Sequence, residues 1–156
     1  MKTRNDFHLM PGHLVRRAHQ ISVAIFMEEC AAQNVTPVQY ACLSAIARQP
    51  GVDATRLAAT VAFDRSTLGN VLERLEAKGW VRRDPSPEDR RIKLVYITEA
   101  GEALLDAIEP AVLTTQKRLL KPLAPADRKT FMRLLTEMVD GNNEISRAPL
   151  SRAIGD

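Results

Sequence analysis

Aromatic residues are scarce in this chain: one Trp, two Tyr and four Phe among 156 residues, 4% of the total. A core with so few rings must rest on Leu, Ile, Val and Ala, a set that favours helices over a β-sandwich. There are only two cysteines, Cys30 and Cys42. They lack metal-ligand spacing and are too few for a disulfide framework. No apolar run is long enough to cross a bilayer, and the opening MKTRND leads into no signal-peptide core, so a cytoplasmic location away from membranes is expected. A nucleotide loop, Gly-x-Gly-x-x-Gly, a metal-ligand cluster and a nucleophile motif are all missing. No catalytic residue, metal or cofactor is therefore expected, and an enzyme is not.

What is present is an ordinary globular composition, 45% hydrophobic and 26% charged, on a length suited to one domain. The net charge is +3 with a pI near 9.1, and its distribution is uneven. Between Arg56 and Lys93 lie nine cations (Arg56, Arg65, Arg74, Lys78, Arg82, Arg83, Arg90, Arg91, Lys93) and six acids (Asp64, Glu73, Glu76, Asp84, Glu88, Asp89). Their excess equals the whole net charge, which fits either a solvated mixed surface or a nucleic-acid face.

The pattern predicts a first helix from Pro11 to about Ala32, with Leu14, Ala18, Ile21 and Ile25 at helical spacing. Thr36-Pro37 opens a second helix that Gln49-Pro50-Gly51 ends. Asp53 caps a short helix, ATRLAATV, and after a break at Ala62-Phe63 either Asp64 or Ser66 caps the next. That helix buries Leu68, Val71, Leu72 and Leu75, shows Ser66, Thr67, Asn70 and Arg74 on its other side, and stops at Gly79. Two strands, Trp80 to Arg83 and Ile92 to Ile97, flank a turn rich in Pro and charge. Thr98 caps a long helix in which Pro110 should cause a kink unless neighbouring groups compensate. A last helix starts at Leu123-Ala124-Pro125 and ends at Gly141-Asn142-Asn143, and the polar tail from Glu144 is expected to be loosely ordered.

Short helix, turn, polar-faced helix and β-wing in that order give a winged helix-turn-helix. The expected class is mainly α with a small β-wing. Residues 1–35 form an N-terminal dimerisation helix, 36–98 the winged-helix core, 99–143 C-terminal dimerisation helices and 144–156 a tail, all in one structural domain. The apolar faces of the terminal helices exceed what a small winged helix needs. They suit a homodimer, with a monomeric helical extension as the alternative.

Two stretches, DRSTLGNVLERLEAKGWVRR and DRRIKLVYITEAG, carry a resemblance to the MarR family of winged-helix regulators over about residues 10–140. The more specific is the wing: Asp89-Arg90-Arg91, a hydrophobic strand, then Thr98 and Gly101. The resemblance implies a recognition helix in the major groove and a wing arginine in the neighbouring minor groove. Ser66, Thr67, Asn70 and Arg74 would then face bases and phosphates, with helix capping an equal reading for Ser66. Arg91 matches the wing arginine, Asp89 would orient it and Arg90 stands second at the tip. Arg56 and Arg65 would grip phosphate. The partner would be double-stranded DNA with a pseudo-palindromic operator, half-sites about one helical turn apart. A narrow A·T-rich minor groove concentrates negative potential, which rewards an arginine on a rigid turn.

The resemblance also implies a switch, because such regulators commonly release DNA on binding small anionic aromatics. His8, His13, Arg16 and Arg17 crowd the start of the first helix beside an apolar face, where they could hold a carboxylate while Tyr40 or Phe26 packs on a ring. A solvated dimer surface is the plainer reading of the same residues. The segment Pro11 to Gln20 is similar to that of members controlling aromatic or heteroaromatic acid catabolism. The expected function is thus a repressor released by a small aromatic or heteroaromatic carboxylate. Alternatives are a thiol-based redox-sensing repressor, disfavoured because Glu28 and Glu29 beside Cys30 would raise its pKa, and a non-specific architectural DNA binder. Metal sensing through His8, His13 and His19 fits poorly, since spacings of five and six do not align ligands on one helix face.

Overall fold

The computed structural model describes residues 6–151; residues 1–5 and 152–156, the ends of the expected first segment and of the tail, lie outside it. Six helices and a three-stranded antiparallel sheet follow one another: α1 (Pro11–Glu29), α2 (Pro37–Arg48), β1 (Val52–Asp53), α3 (Ala54–Val61), α4 (Arg65–Ala77), β2 (Val81–Pro85), β3 (Lys93–Ile97), α5 (Glu99–Leu120) and α6 (Pro125–Gly141).

The caps explain the boundaries. Thr36 and Gln39 bond reciprocally, each backbone N–H donating at 3.2 Å to the other's side chain, in a capping box that starts α2. Asp53 accepts from Arg56 N at 2.9 Å to start α3. For α4 the cap is Asp64, accepting from Thr67 N at 2.8 Å, and not Ser66. Thr98 accepts from Gly101 N at 3.1 Å and donates to the Gly79 carbonyl at 2.7 Å, tying the start of α5 to the end of α4. Gly79, at φ +73, makes the turn between α4 and β2.

The structure departs from the sequence-based expectations in three places. Helix α1 ends at Glu29, earlier than Ala32. A 3-10 turn over Ala31–Gln33 and Asn34 in the left-handed region bring Val35 down into the core. Strand β1 was not anticipated: its two residues pair with Val95 and Leu94 at the edge of β3. Helix α5, as expected, is one long element, with Pro110 inside it. The tail is not loose as far as Ser151. Asn143 accepts from Leu150 N at 2.8 Å and donates to its carbonyl at 3.1 Å, and Ser151 N donates to the Ala59 carbonyl at 2.8 Å.

The core has two parts. Leu43, Ile46, Leu57, Leu68, Leu75 and Val95 are central to a cluster under the helix-turn-helix. Phe26, Cys30, Val35, Ile108 and Val112 form a second between α1 and α5. Each fully buried Leu or Ile contributes about 1.5–3 kcal/mol, so the recognition helix is anchored by its own stripe. Trp80 and Leu104 pack against both clusters and join them.

Candidate nucleic-acid interface

Helix α4 sorts its side chains by face. Leu68, Val71, Leu72 and Leu75 are buried, while Ser66, Thr67, Asn70 and Arg74 are exposed on one continuous surface. The Asp64 cap holds the first turn rigid: besides the backbone bond, its second oxygen accepts from Thr67 Oγ1 at 3.1 Å. Those bonds from Thr67, backbone first, keep the Asp64 carboxyl below its ordinary range. Arg65 Nη2 donates to Thr55 Oγ1 at 3.3 Å, bridging α4 to α3.

The wing is a β2–β3 hairpin closed by backbone bonds from Ser86 N to the Ile92 carbonyl at 2.8 Å and from Ile92 N to the Asp89 carbonyl at 2.9 Å. Pro85 and Pro87 flank the buried Ser86 and stiffen its edge. At the tip, Asp89 receives three bonds from Arg91, from its backbone N and Nε at 3.0 Å and from Nη2 at 2.9 Å. The pairing lowers the Asp89 pKa and raises that of Arg91. The Arg91 side chain is nevertheless 90% exposed, so Asp89 aims it without covering it. Arg90 is exposed beside it.

Between the wing and the start of α3 runs an open groove of about 550 Å³ whose lining includes Arg56, Arg83, Arg91 and Lys93 against the single carboxylate Asp53. Arg83 is also ion-paired with Glu76 of α4, which lowers the Glu76 pKa and braces the wing on the recognition helix. Arg82 pairs with Asp84 and stacks on Tyr96, 4.5 Å from the ring centre. Among the described residues, Arg56, Arg65, Arg74 and Arg90 make no ion pair. The surface is thus a polar helix face framed by unneutralised guanidinium groups, a chemistry suited to phosphates and base edges.

A second feature lies on the other side of Trp80. A cavity of about 220 Å³ between α1, α2 and α5 is lined by His19, Ser22, Phe26, Tyr40, Thr115 and Gln116, among others. Tyr40 lines it, with Phe26 5.9 Å away between ring centres. His8, His13, Arg16 and Arg17 do not line this cavity. His8 and His13 pack with Phe7, at 5.2 Å from each other and 3.9 and 5.1 Å from the phenyl ring. Arg16 lies 3.4 Å from His13 Nδ1, and Arg17 donates to Gln20 at 3.1 Å. Desolvation, then the charges of Arg16, His8 and Arg17, lower the His13 pKa. Ser22, Val23, Thr115 and Gln116 are cavity residues that the sequence reading did not name. For the first two a signal was present, since His19, Ser22, Val23 and Phe26 recur at i, i+3, i+4 and i+7.

Both cysteines are buried. Burial pushes the Cys42 thiol up to about 12, and burial, with Glu29 adding to it, raises Cys30. Neither has the thiolate character of a redox sensor. Among the described residues no helix is long and apolar enough to cross a membrane, and no group of three or more His, Cys, Asp or Glu could hold a metal ion.

Comparison with known proteins agrees with this geometry. The MarR family model matches residues 35–93, the stretch from the start of α2 into β3. The chain is 33% identical over 131 residues to the HTH-type transcriptional repressor NicR of Pseudomonas putida, covering 84% of this chain and 83% of that protein. Its fold is similar to that of Bordetella bronchiseptica BpsR, whose DNA binding is regulated by 6-hydroxynicotinic acid. The TM-score is 0.82 at 32% identity, over 88% of this chain and 99% of that one. It is also similar to a mutant MarR from E. coli complexed with operator DNA, with a TM-score of 0.80 at 26% identity over 88% of this chain and 99% of that one.

Proposed function

The chain belongs to the MarR family of transcriptional regulators, which are not enzymes, and from that premise we propose that it is a homodimeric, sequence-specific repressor released by a small aromatic or heteroaromatic carboxylate. In this reading Ser66, Thr67, Asn70 and Arg74 enter the major groove. Arg91, oriented by Asp89, and Arg90 reach the adjacent minor groove, and Arg56 and Arg65 hold phosphates. Support for the dimer comes from exposed apolar side chains at both ends of the chain: Leu9, Leu14 and Ile21 near the start, and Phe131, Leu134, Met138 and Val139 along α6. Helix α6 has no buried residue of its own, so a second copy is the natural cover for that face.

The observation that carries the switch is the cavity. Phe26 and Tyr40 offer ring faces, while His19, Ser22, Thr115 and Gln116 offer polar contacts. Its volume of about 220 Å³ is below that of drug-sized pockets and fits a single ring. Arg16 stands one turn before His19 on the same α1 stripe and would supply the charge for the carboxylate at the mouth. His13 and Arg17, rotated from that stripe, and His8, which precedes α1, would act from outside the cavity, at the dimer surface. Regulation of BpsR by 6-hydroxynicotinic acid makes that acid the first ligand to try.

The test is DNA binding to the region upstream of the chain's own gene against a scrambled duplex, followed by titration with 6-hydroxynicotinic acid, benzoate and the neutral benzamide. Specific binding relieved by an acid, but not by the amide, is expected. Binding that treats both duplexes alike across salt would favour the architectural alternative. If Tyr40→Ala and Arg16→Ala leave ligand response untouched, the cavity is not the effector site.

A further inference from the structure

We propose that Arg147, in the segment that follows α6, is a further DNA-contacting residue holding a backbone phosphate beside the start of the recognition helix. This rests on the reading of α4 as the DNA-reading helix. After α6 the chain turns back instead of trailing into solvent. The Asn143 side chain clamps Leu150 from both sides, and Ser151 N donates to the Ala59 carbonyl in α3 at 2.8 Å. The loop between them is laid over the helix-turn-helix turn, so that Ser146, Arg147 and Ala148 line one recess with Phe63, Asp64 and Thr67.

Thr67 and Asp64 form the first turn of the surface already described. Arg147 is close enough for its charge to help lower the Asp64 pKa, yet it makes no ion pair among the described residues. Asp64 is committed to Thr67 through both oxygens, so the guanidinium keeps its donors. Without a cation there, the Asp64 carboxylate would repel the phosphate that flanks a helix entering the major groove. Arg147 offsets that repulsion and offers a two-pronged donor to the phosphate itself. The wing groove lies at the start of α3 and the tail at its end, so cations bracket the recognition helix on two sides.

The experiment measures anisotropy of a labelled duplex from the upstream region across a salt series, with the full-length protein. Arg147→Ala should weaken binding several-fold. It should also flatten the slope of log affinity against log salt by about 0.9 for each phosphate no longer held, roughly 1.8 for the two tails of a dimer. Arg147→Lys should keep most of the affinity, and Arg147→Glu should bind more weakly than the alanine variant. Unchanged affinity and slope for Arg147→Ala overturn the proposal. So does an equal change for Lys129→Gln in α6, which would mean that net charge alone was being read. Tighter binding after removal of residues 143–156 also overturns it, since the tail would then cover the surface rather than contact DNA. If wild-type protein binds the upstream and scrambled duplexes alike, sequence specificity fails, while the Arg147 slope still reads out on either duplex.

Discussion

Gly101 offers a sharp test of how the wing is joined to the rest of the molecule. A Cβ built there would lie 2.3 Å from the Trp80 carbonyl oxygen and 2.7 Å from Cγ1 of Ile97. The oxygen cannot swing aside, because it is backbone and accepts from Thr98 N at 3.0 Å. Alanine must therefore lift the start of α5 or displace the entry to β2. A glycine-to-alanine change inside an open helix gains up to about 1 kcal/mol. Overpacking costs about 1–3 kcal/mol, and contact with backbone puts this site at the upper end. A net loss of about 2 kcal/mol follows for Gly101→Ala, or roughly 4–8 °C in Tm for a chain of this size. Gly69 in α4 is the matched control, since nothing lies within 4 Å of its added Cβ. Gly69→Ala should raise Tm by about 2–4 °C. Thermal unfolding followed by circular dichroism at one fixed protomer concentration reads both. A Gly101→Ala protein as stable as the parent would refute the reasoning, as would two variants moving together in the same direction.

Arg91→Ala should weaken operator binding at least several-fold while leaving the elution volume of the protein unchanged, and undiminished affinity would end the wing assignment. Cys30 and Cys42 should resist alkylation in the native protein at mildly alkaline pH and react only on unfolding; rapid labelling of either in the folded state would contradict their burial. Asp64, Glu76 and Asp89 all titrate below their ordinary range. Their contribution to stability is present above the unfolded pKa and is lost as pH falls through the folded value. Tm should therefore stay level from neutrality down to about pH 5 and decline only in stronger acid, and a decline that begins nearer neutrality would point to other groups.

Much of the fold was legible because each helix carries its own start signal. Thr36-Pro37, Asp53, Asp64 and Thr98 each precede a hydrophobic stripe of period 3.6, and caps of this kind act locally. The wing was legible for the same reason: Pro85 and Pro87, Ser86 and the Asp89-Arg91 pair are turn chemistry within a few residues. What escaped the sequence depends on distant partners. Two-residue β1 exists only because β3 offers an edge at Val95 and Leu94. The tail is fixed by Ala59, far away in the chain, so its own polar composition could not reveal it. The cavity beside α1 was only partly legible. Charge density drew attention to His13 and Arg17, whereas the cavity follows the stripe of His19 to Phe26 and needs α2 and α5 to close it.

The energetics of release set limits that this geometry can meet. A hundred-fold loss of DNA affinity needs a ligand that favours the DNA-free arrangement by about 2.7 kcal/mol. A single-ring acid of roughly ten heavy atoms can bring about 3–15 kcal/mol of binding, so only a part of it must discriminate. The harder requirement is a mechanical connection. Phe26 and Val112 belong both to the cavity wall and to the second core cluster, and Trp80 packs against that cluster and against the one beneath α4. Its position in the chain completes the link. Trp80 follows Gly79 at the end of the recognition helix, and its carbonyl receives the Thr98 N–H where β3 gives way to α5. A ligand that parts α1 from α5 therefore works on the side chain around which both the recognition helix and the wing are set. Close packing makes that connection stiff, because a dense core passes on a displacement instead of absorbing it. In the proposed reading, Arg91 at the end of the hairpin feels any tilt of its base amplified by the length of the wing, and its minor-groove contact tolerates little of it.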